Sequence, residues 1–188
     1  MSSLNDPTLR PSRATAAAVT LLDLTDHPRV GFRGAHSAGY LQSRGFELPE
    51  APNRAVAQSD GSRVARLSLN EYLLLGSAED AGKRIAAEEA DWRLDASGHY
   101  LLPRQDSHAW LRLSGMAIGP LMAKLCGVDL SAAAFAPGAV AQTSAARINV
   151  IVINSGGPEQ PCFELLFDRA SLEYFQAAVN DAMAEFQP

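Results

Sequence analysis

The chain has 188 residues, 47% of them hydrophobic and 20% charged, a balance that suits a soluble globular domain with a real core and excludes a disordered segment. Its formal charge of −5, with Lys83 and Lys124 as the only lysines and the arginines scattered, argues against a nucleic-acid-binding face. No apolar run approaches the ~20 residues of a membrane-spanning helix. Two cysteines, Cys126 and Cys162, without a secretion signal point to reduced thiols in a cytoplasmic protein.

Residues 1–18 are rich in Pro, Ser, Thr and Ala and are expected to form an extended or disordered N-terminal arm. The apolar segment 19–24 reads as a first strand. Residues 30–34, Val-Gly-Phe-Arg-Gly, form a strand that ends in glycine. A helix follows over 35–44, with Ala38 and Leu41 on one face, and Gly45 stops it. After a loop holding Pro49, Pro52, Asn53 and Arg54, strands are expected at 55–58 and 63–69. Ser59-Asp60-Gly61-Ser62 joins them, with Asp60 and Gly61 supplying the positive φ of a hairpin turn. The run Glu71-Tyr72-Leu73-Leu74-Leu75 suits a strand buried on both faces. Over 78–92 the period is helical, with Ala81, Ile85, Ala86 and Trp92 inward and Glu79, Asp80, Glu88 and Glu89 mostly outside that stripe.

The stretch 107–130 repeats the theme. Ala109, Leu111 and Leu113 alternate with Trp110, Arg112 and Ser114, as in a half-buried strand. Gly115 breaks the alternation, and Ile118, Leu121, Met122 and Leu125 then recur at helical spacing. Gly127 suits the left-handed residue that closes a helix. A loop with Pro137 and Gly138 leads to strands at 140–143 and 148–153, a turn at 155–158, a strand at 163–167 and a closing helix over 172–186. That helix carries Leu172, Phe175, Val179, Ala182, Met183 and Phe186 on one face.

The order strand, helix, three strands, helix therefore occurs twice. Gly34 corresponds to Gly115, Tyr40-Leu41 to Leu121-Met122, and Tyr72-Leu73-Leu74 to Phe163-Glu164-Leu165. A repeated unit that cannot bury its own face docks on its copy. The expected fold is α+β: two related β-α-β-β-β-α halves, about 19–95 and 105–188, packed as one domain with helices covering the sheets.

No catalytic constellation emerges. Gly31 and Gly34 give only part of a dinucleotide-binding glycine pattern, and Gly115 with Gly119 does not fit it. His27, His36, His99 and His108 lack zinc-like spacing with one another or with cysteine. Ser107 and His108 suggest a nucleophile and base, but neighbours along a strand point to opposite faces. Cys126 and Cys162 read as inert thiols, and Glu71 as a polar strand end with no partner carboxylate. Asp129 reads as a turn residue after the helix. The polar pair to watch is Asn53-Arg54. Arg54 has two readings: a bidentate grip on a carboxylate, such as a folate tail or a partner's Asp or Glu, or a structural role joining the halves. Trp92, Tyr100, Leu101 and Trp110 are candidates for exposed apolar residues at an interface.

The strand, corner and helix formed by Leu111-Arg112-Leu113-Ser114-Gly115 with Leu121, Lys124, Cys126 and Asp129-Leu130 resemble the gamma subunits of heterotetrameric sarcosine oxidase. So do Phe135-Ala136-Pro137-Gly138 with Ala141-Gln142-Thr143, Ala51-Pro52-Asn53-Arg54, and the run from Leu67 to Leu75. Asp106-Ser107-His108 matches the lead-in to the Gly115 strand. Tyr72 stands where many relatives have Trp. The resemblance implies a fold similar to the folate-binding domain of the glycine-cleavage aminomethyltransferase. It implies a subunit without catalytic, cofactor-binding or metal-binding residues of its own, in which Asn53, Arg54 and Gly115 serve structure or interface. Its partners would be the alpha, beta and delta subunits, which would carry FAD, FMN, NAD, tetrahydrofolate and zinc. The complex would oxidise sarcosine to give methylenetetrahydrofolate and hydrogen peroxide. The related subunit of N-methylglutamate dehydrogenase, and a free-standing folate-binding one-carbon-transfer protein, are the alternatives.

Overall fold

The computed structural model describes residues 18–186, so the arm expected at 1–18 lies, apart from Ala18, outside the described residues. Apolar residues alternate along nearly every strand, and where both faces are apolar both faces are covered. The strands are β1 (Thr20–Asp23), β2 (Arg29–Arg33), β3 (Arg54–Ala57), β4 (Arg63–Ser68), β5 (Glu71–Leu75), β6 (Tyr100–Pro103), β7 (His108–Ser114), β8 (Val140–Ala145), β9 (Ile148–Asn154) and β10 (Cys162–Asp168). The helices are α1 (Ser37–Ser43), α2 (Lys83–Asp91), α3 (Ile118–Leu125) and α4 (Leu172–Met183).

Two five-stranded antiparallel sheets form, in the orders β3-β4-β5-β2-β6 and β8-β9-β10-β7-β1. They pack face to face, with helices on the two outer faces. Leu67, Leu73, Leu75, Trp110, Ile153 and Leu166 fill the layer between the sheets. Val30, Phe32, Tyr72 and Leu74 pack against Leu41 of α1 and Ile85 of α2. Leu111, Leu113, Leu165 and Phe167 pack against Leu121 and Met122 of α3 and Phe175 and Val179 of α4. Alternation along β5 and β10 thus sends successive side chains to two different cores.

The sheet orders reveal an exchange. β1, from the start of the chain, pairs with β7 through Thr20↔Ser114 and Leu22↔Arg112. β6, which follows the first half, returns to β2 through Arg33↔Tyr100 and Gly31↔Leu102. The first half therefore lends β1 as an edge strand to the second half's sheet, while β6, which lies between 19–95 and 105–188, closes the first half's sheet at its edge. The repeat gains a strand, β6, absent from the sequence-based order. Four residues ending in Pro103 give a weak strand signal, and proline is tolerated there because β6 is an edge. The correspondence of the halves is in register: Phe32↔Tyr72 in one sheet matches Leu113↔Phe163 in the other.

Both glycine corners lie where an exchanged strand enters. Gly34 has φ 141° and Gly115 φ 129°. A Cβ at Gly34 would collide with the Gly98 carbonyl, and one at Gly115 with the Ala18 carbonyl. Those same carbonyls accept hydrogen bonds from His36 N (3.2 Å) and Ala117 N (3.2 Å) at the helix starts. The corners thus weld an incoming strand to an outgoing helix, which only a residue without a side chain permits.

Several local expectations are corrected. α2 begins at Lys83, because Ala81 (φ 56°) and Gly82 (φ 75°) leave the helical region. Its buried residues are Ile85 and Glu88, while Ala81 and Ala86 are exposed. Glu88 is drawn inward by Arg44, 2.8 Å away. Gly127 does not adopt positive φ; α3 ends on extended Cys126, which forms a bridge with Ala145. In the hairpin at 59–62 only Gly61 (φ 79°) is left-handed. Trp110 is 1% exposed, whereas Tyr100 is 50% exposed.

Gly115→Ala is expected to lower unfolding free energy by roughly 2–3 kcal/mol, from positive φ plus the lost approach to Ala18. Gly119→Ala, on α3 with nothing nearer than 3.9 Å to the place its methyl group would take, should be neutral or stabilising by up to about 1 kcal/mol. Urea denaturation of the two variants checks both.

Candidate functional site

The polar groups of interest lie where the layer between the sheets meets solvent. At one end the connections β1–β2 and β6–β7 cross. Arg29, 0% exposed, sits at that crossing. Its Nη1 donates to Thr25 O (2.9 Å) and His27 O (2.8 Å), and its Nη2 to Gln105 O (3.1 Å) and His108 O. Burial lowers its pKa to about 10, so the guanidinium stays charged at neutral pH. Arg169 covers the crossing from outside, donating to Gln105 O (2.8 Å) and pairing with Asp26 (3.2 Å).

His108 leads from this crossing into β7. Ser107 Oγ lies 2.8 Å from His108 Nδ1, so the neighbours do meet; Ser107 precedes the strand and is free of its alternation. This corrects the expectation that they point apart. Ser107 Oγ carries one proton and has two neighbours within hydrogen-bond reach, Pro103 O (3.1 Å) and His108 Nδ1 (2.8 Å). Burial, aided by Arg104 and Arg29 and opposed by Asp168, pushes His108 down to about 4.

At another edge of the same layer, Glu164 on β10 is 2% exposed. Its Oε2 accepts from Trp110 Nε1 (2.7 Å), and its Oε1 from Arg112 Nε (2.9 Å) and Ser155 Oγ (2.9 Å). Arg63 on β4 of the opposite sheet donates to Ser155 O (3.2 Å). Cys162 lies on the same face, half-buried, with its thiol pKa raised by burial. Glu71 pairs with Arg104 (2.7 Å) and Arg33 (3.9 Å), as a strand-end carboxylate held by cations.

Asn53 and Arg54 stand at the corner where the two sheets touch. Asn53 has φ 59°, its O accepts from Val140 N (3.0 Å), and its Oδ1 from Gln142 Nε2 (2.8 Å). Arg54 forms a backbone bridge with Ala139, and Ala55 N donates to Gly138 O (2.8 Å). The Arg54 side chain is exposed and forms no ion pair among the described residues. Asp129 accepts from Ser131 N (2.9 Å) in a turn. Gly115 follows β7 and is tied by its own N–H to Pro161 O (3.1 Å), so it serves a different corner from Asn53 and Arg54.

A third feature is an apolar groove of about 700 Å³ beside α3, lined among others by Met116, Ile118, Val128, Phe135, Pro158 and Phe163. Met116 is 70% exposed on its rim. No group of three or more His, Cys, Asp or Glu is placed to hold a metal among the described residues, and no described helix is long and apolar enough to cross a membrane.

Arg29, Arg63, Arg112 and Glu164 escaped the reading of the sequence. Glu164 had a usable signal: a carboxylate in the middle of Phe163-Glu164-Leu165-Leu166-Phe167 must be paired if the strand is buried on both faces. Arg29 had none, because its partners are backbone carbonyls of two distant connections.

No family model matches the chain. It is 28% identical over 178 residues to sarcosine oxidase subunit gamma of Corynebacterium sp. (strain P-1), a match that covers 92% of this chain and 84% of that one. Among solved structures it is similar to a chain of the heterotetrameric sarcosine oxidase of Corynebacterium sp. U-96 in complex with pyrrole 2-carboxylate. There the TM-score is 0.73 at 23% identity, with 92% of this chain and 87% of that chain covered. It is also similar to glycine cleavage system aminomethyltransferase T from Bartonella henselae, with TM-score 0.62, 14% identity, and 87% and 45% coverage. The resemblance to a sarcosine oxidase gamma subunit and the aminomethyltransferase-like α+β fold are thereby shown.

The His108 environment sets a pH dependence. A histidine near 6.5 when unfolded and about 4 when folded leaves the unfolded chain binding the extra proton between those values. Its stabilising contribution is full above 6.5 and is lost as pH falls toward 4. The urea midpoint should therefore fall across that window in the parent chain, and fall less in His108→Asn.

Proposed function

We propose that this chain is the non-catalytic gamma subunit of a heterotetrameric, flavin-dependent sarcosine oxidase of the cytoplasm. It would pack against the folate-binding region of the alpha subunit, in a complex completed by beta and delta subunits. The observation that carries the reading is the end-to-end match to a sarcosine oxidase gamma subunit, over 92% of this chain and 84% of that one. By contrast, the chain spans less than half, 45%, of the aminomethyltransferase that shares its fold.

The site geometry supports the same reading. A free-standing folate carrier needs a pocket between its two halves. In this chain Leu67, Leu73, Leu75, Trp110, Ile153 and Leu166 pack that layer. The buried ionic groups at its edges serve the fold: Arg29 is spent on four backbone carbonyls, and Glu164 on three donors. Oxidation of sarcosine, with FAD, FMN, NAD, tetrahydrofolate and zinc, then falls to the partner subunits. This chain contributes a stiff, two-sheet body.

Co-expression with the alpha, beta and delta subunits, followed by size-exclusion chromatography with flavin absorbance, tests the proposal. The chain should co-elute with the flavin-bearing subunits, and the complex should turn over sarcosine in preference to N-methylglutamate. A chain that elutes alone while the other three assemble and turn over without it would contradict the subunit role. Preference for N-methylglutamate would move it to that dehydrogenase.

A further inference from the structure

Around Glu164 two guanidinium groups share one carboxylate. Among the described residues Glu164 is the only carboxylate acting on Arg63, and its two oxygens are already engaged by Trp110, Arg112 and Ser155. Arg112 uses Nε alone, and Arg63 uses Nη2 alone on a backbone carbonyl, so the remaining guanidinium N–H groups have no partner among the described residues. Those nitrogens are not sealed from water: Arg112 has a third of its side chain exposed (33%). The two cations repel each other, and burial disfavours the charge on Arg63, so one positive charge in this cluster is left without a counter-ion among the described residues. Ser155 holds the arrangement rigid, linking Arg63 through its carbonyl to Glu164 through its hydroxyl. Directly beside Arg112 in register is Leu22 of the exchanged strand β1, 51% exposed, which places an apolar side chain next to the cluster.

We propose that this cluster, with Arg63 and Arg112 as donors and Leu22 beside Arg112, binds an aliphatic carboxylate. Guanidinium groups with free N–H pairs match a carboxylate in two parallel hydrogen bonds, and partial burial strengthens them. Glu164 is a positioning residue: it fixes Arg112 through Nε and turns the other nitrogens outward. The carboxylate has two possible sources, a small free acid or an Asp or Glu side chain of a partner protein.

The test is a titration of the full-length isolated chain with acetate at constant ionic strength, read by the arginine Nε–Hε NMR signals. The Arg63 and Arg112 signals should shift and saturate, while that of exposed Arg54 should not. Arg63→Gln should weaken acetate binding on the order of tenfold or more, and Arg63→Lys, which keeps the charge but not the fork, should fall between. Signals of Arg63 and Arg112 that never saturate in the parent chain, or an Arg112 signal that saturates equally in Arg63→Gln, would overturn the site. The parent chain's own signals decide this even if a variant fails to fold. The outcome does not depend on the sarcosine oxidase reading, because no partner is present. Co-purification with the partner subunits then separates the sources. A partner carboxylate predicts that Arg63→Gln weakens retention in the complex and that acetate competes with assembly. A free acid predicts that assembly is unchanged by either.

Discussion

A single buried cation holds the architecture together. Arg29 forms no direct ion pair among the described residues, although Asp26, Asp23 and Asp106 act on it from a distance; its donors are taken by four backbone carbonyls from either side of the exchange. Two of those carbonyls, of Thr25 and His27, belong to the link that carries β1 away to the second sheet. Of the other two, Gln105 lies in the link between β6 and β7 and His108 is the first residue of β7. An arginine is suited to the task because its planar fork presents donors in several directions at once and retains its charge in a buried setting. Removing the donors would strip a partner from the carbonyls of Thr25, His27 and His108, at about 1–3 kcal/mol each where water cannot replace it, while Gln105 O would keep its bond from Arg169 (2.8 Å). Gln105 Nε2 bonded to Asp26 O (3.0 Å), and Trp110 N bonded to Thr25 Oγ1 (3.2 Å), tie the same two links to each other and to β7.

The exchange that Arg29 pins makes each sheet depend on the whole chain. One sheet closes with β6, the other with β1, and the glycine corners at Gly34 and Gly115 weld each incoming strand to the first turn of a helix. At the opposite corner Asn53, Arg54, Gly138 and Ala139 stitch β3 to β8 through the backbone. Interlocked in this way, the two sheets cannot slide or hinge without breaking buried hydrogen bonds. That is the property a subunit needs if its contribution to a complex is a surface of fixed shape rather than chemistry. The same stiffness positions Arg63 and Arg112, which come from different sheets, on either side of Glu164.

Much of the fold was legible from periodicity. The strand at 71–75 was plain as a short apolar run bounded by Gly76, and the closing helix at 172–186 because it keeps one period over its whole length. The repeat was legible too, down to the pairing of Tyr72 with Phe163. What was not legible is long-range. β6 is four residues whose partner lies about 70 positions back in the chain, and nothing local in Tyr100-Leu101-Leu102-Pro103 states it. Glu88 was placed outside because its charge was read without Arg44, and Trp110 was read as exposed because the second sheet that covers it was invisible. The site was less legible than the fold. Asn53 and Arg54 were picked for their residue types, yet the backbone does the joining there. The groups that gather in space, Arg63, Arg112 and Glu164, come from β4, β7 and β10, and only the stacking of two sheets brings them together.

Native-state hydrogen exchange on the parent chain and on Arg29→Lys tests the interlock most directly. A lysine ammonium is a compact point charge and cannot span carbonyls from both links. If Arg29 pins the exchange, the amides of β1 and β6 open together with the global unfolding of the parent chain, and both lose protection in concert in Arg29→Lys. If β1 and β6 open independently of each other in the parent chain, or if Arg29→Lys leaves their protection unchanged, the two links do not depend on Arg29 and the account is wrong.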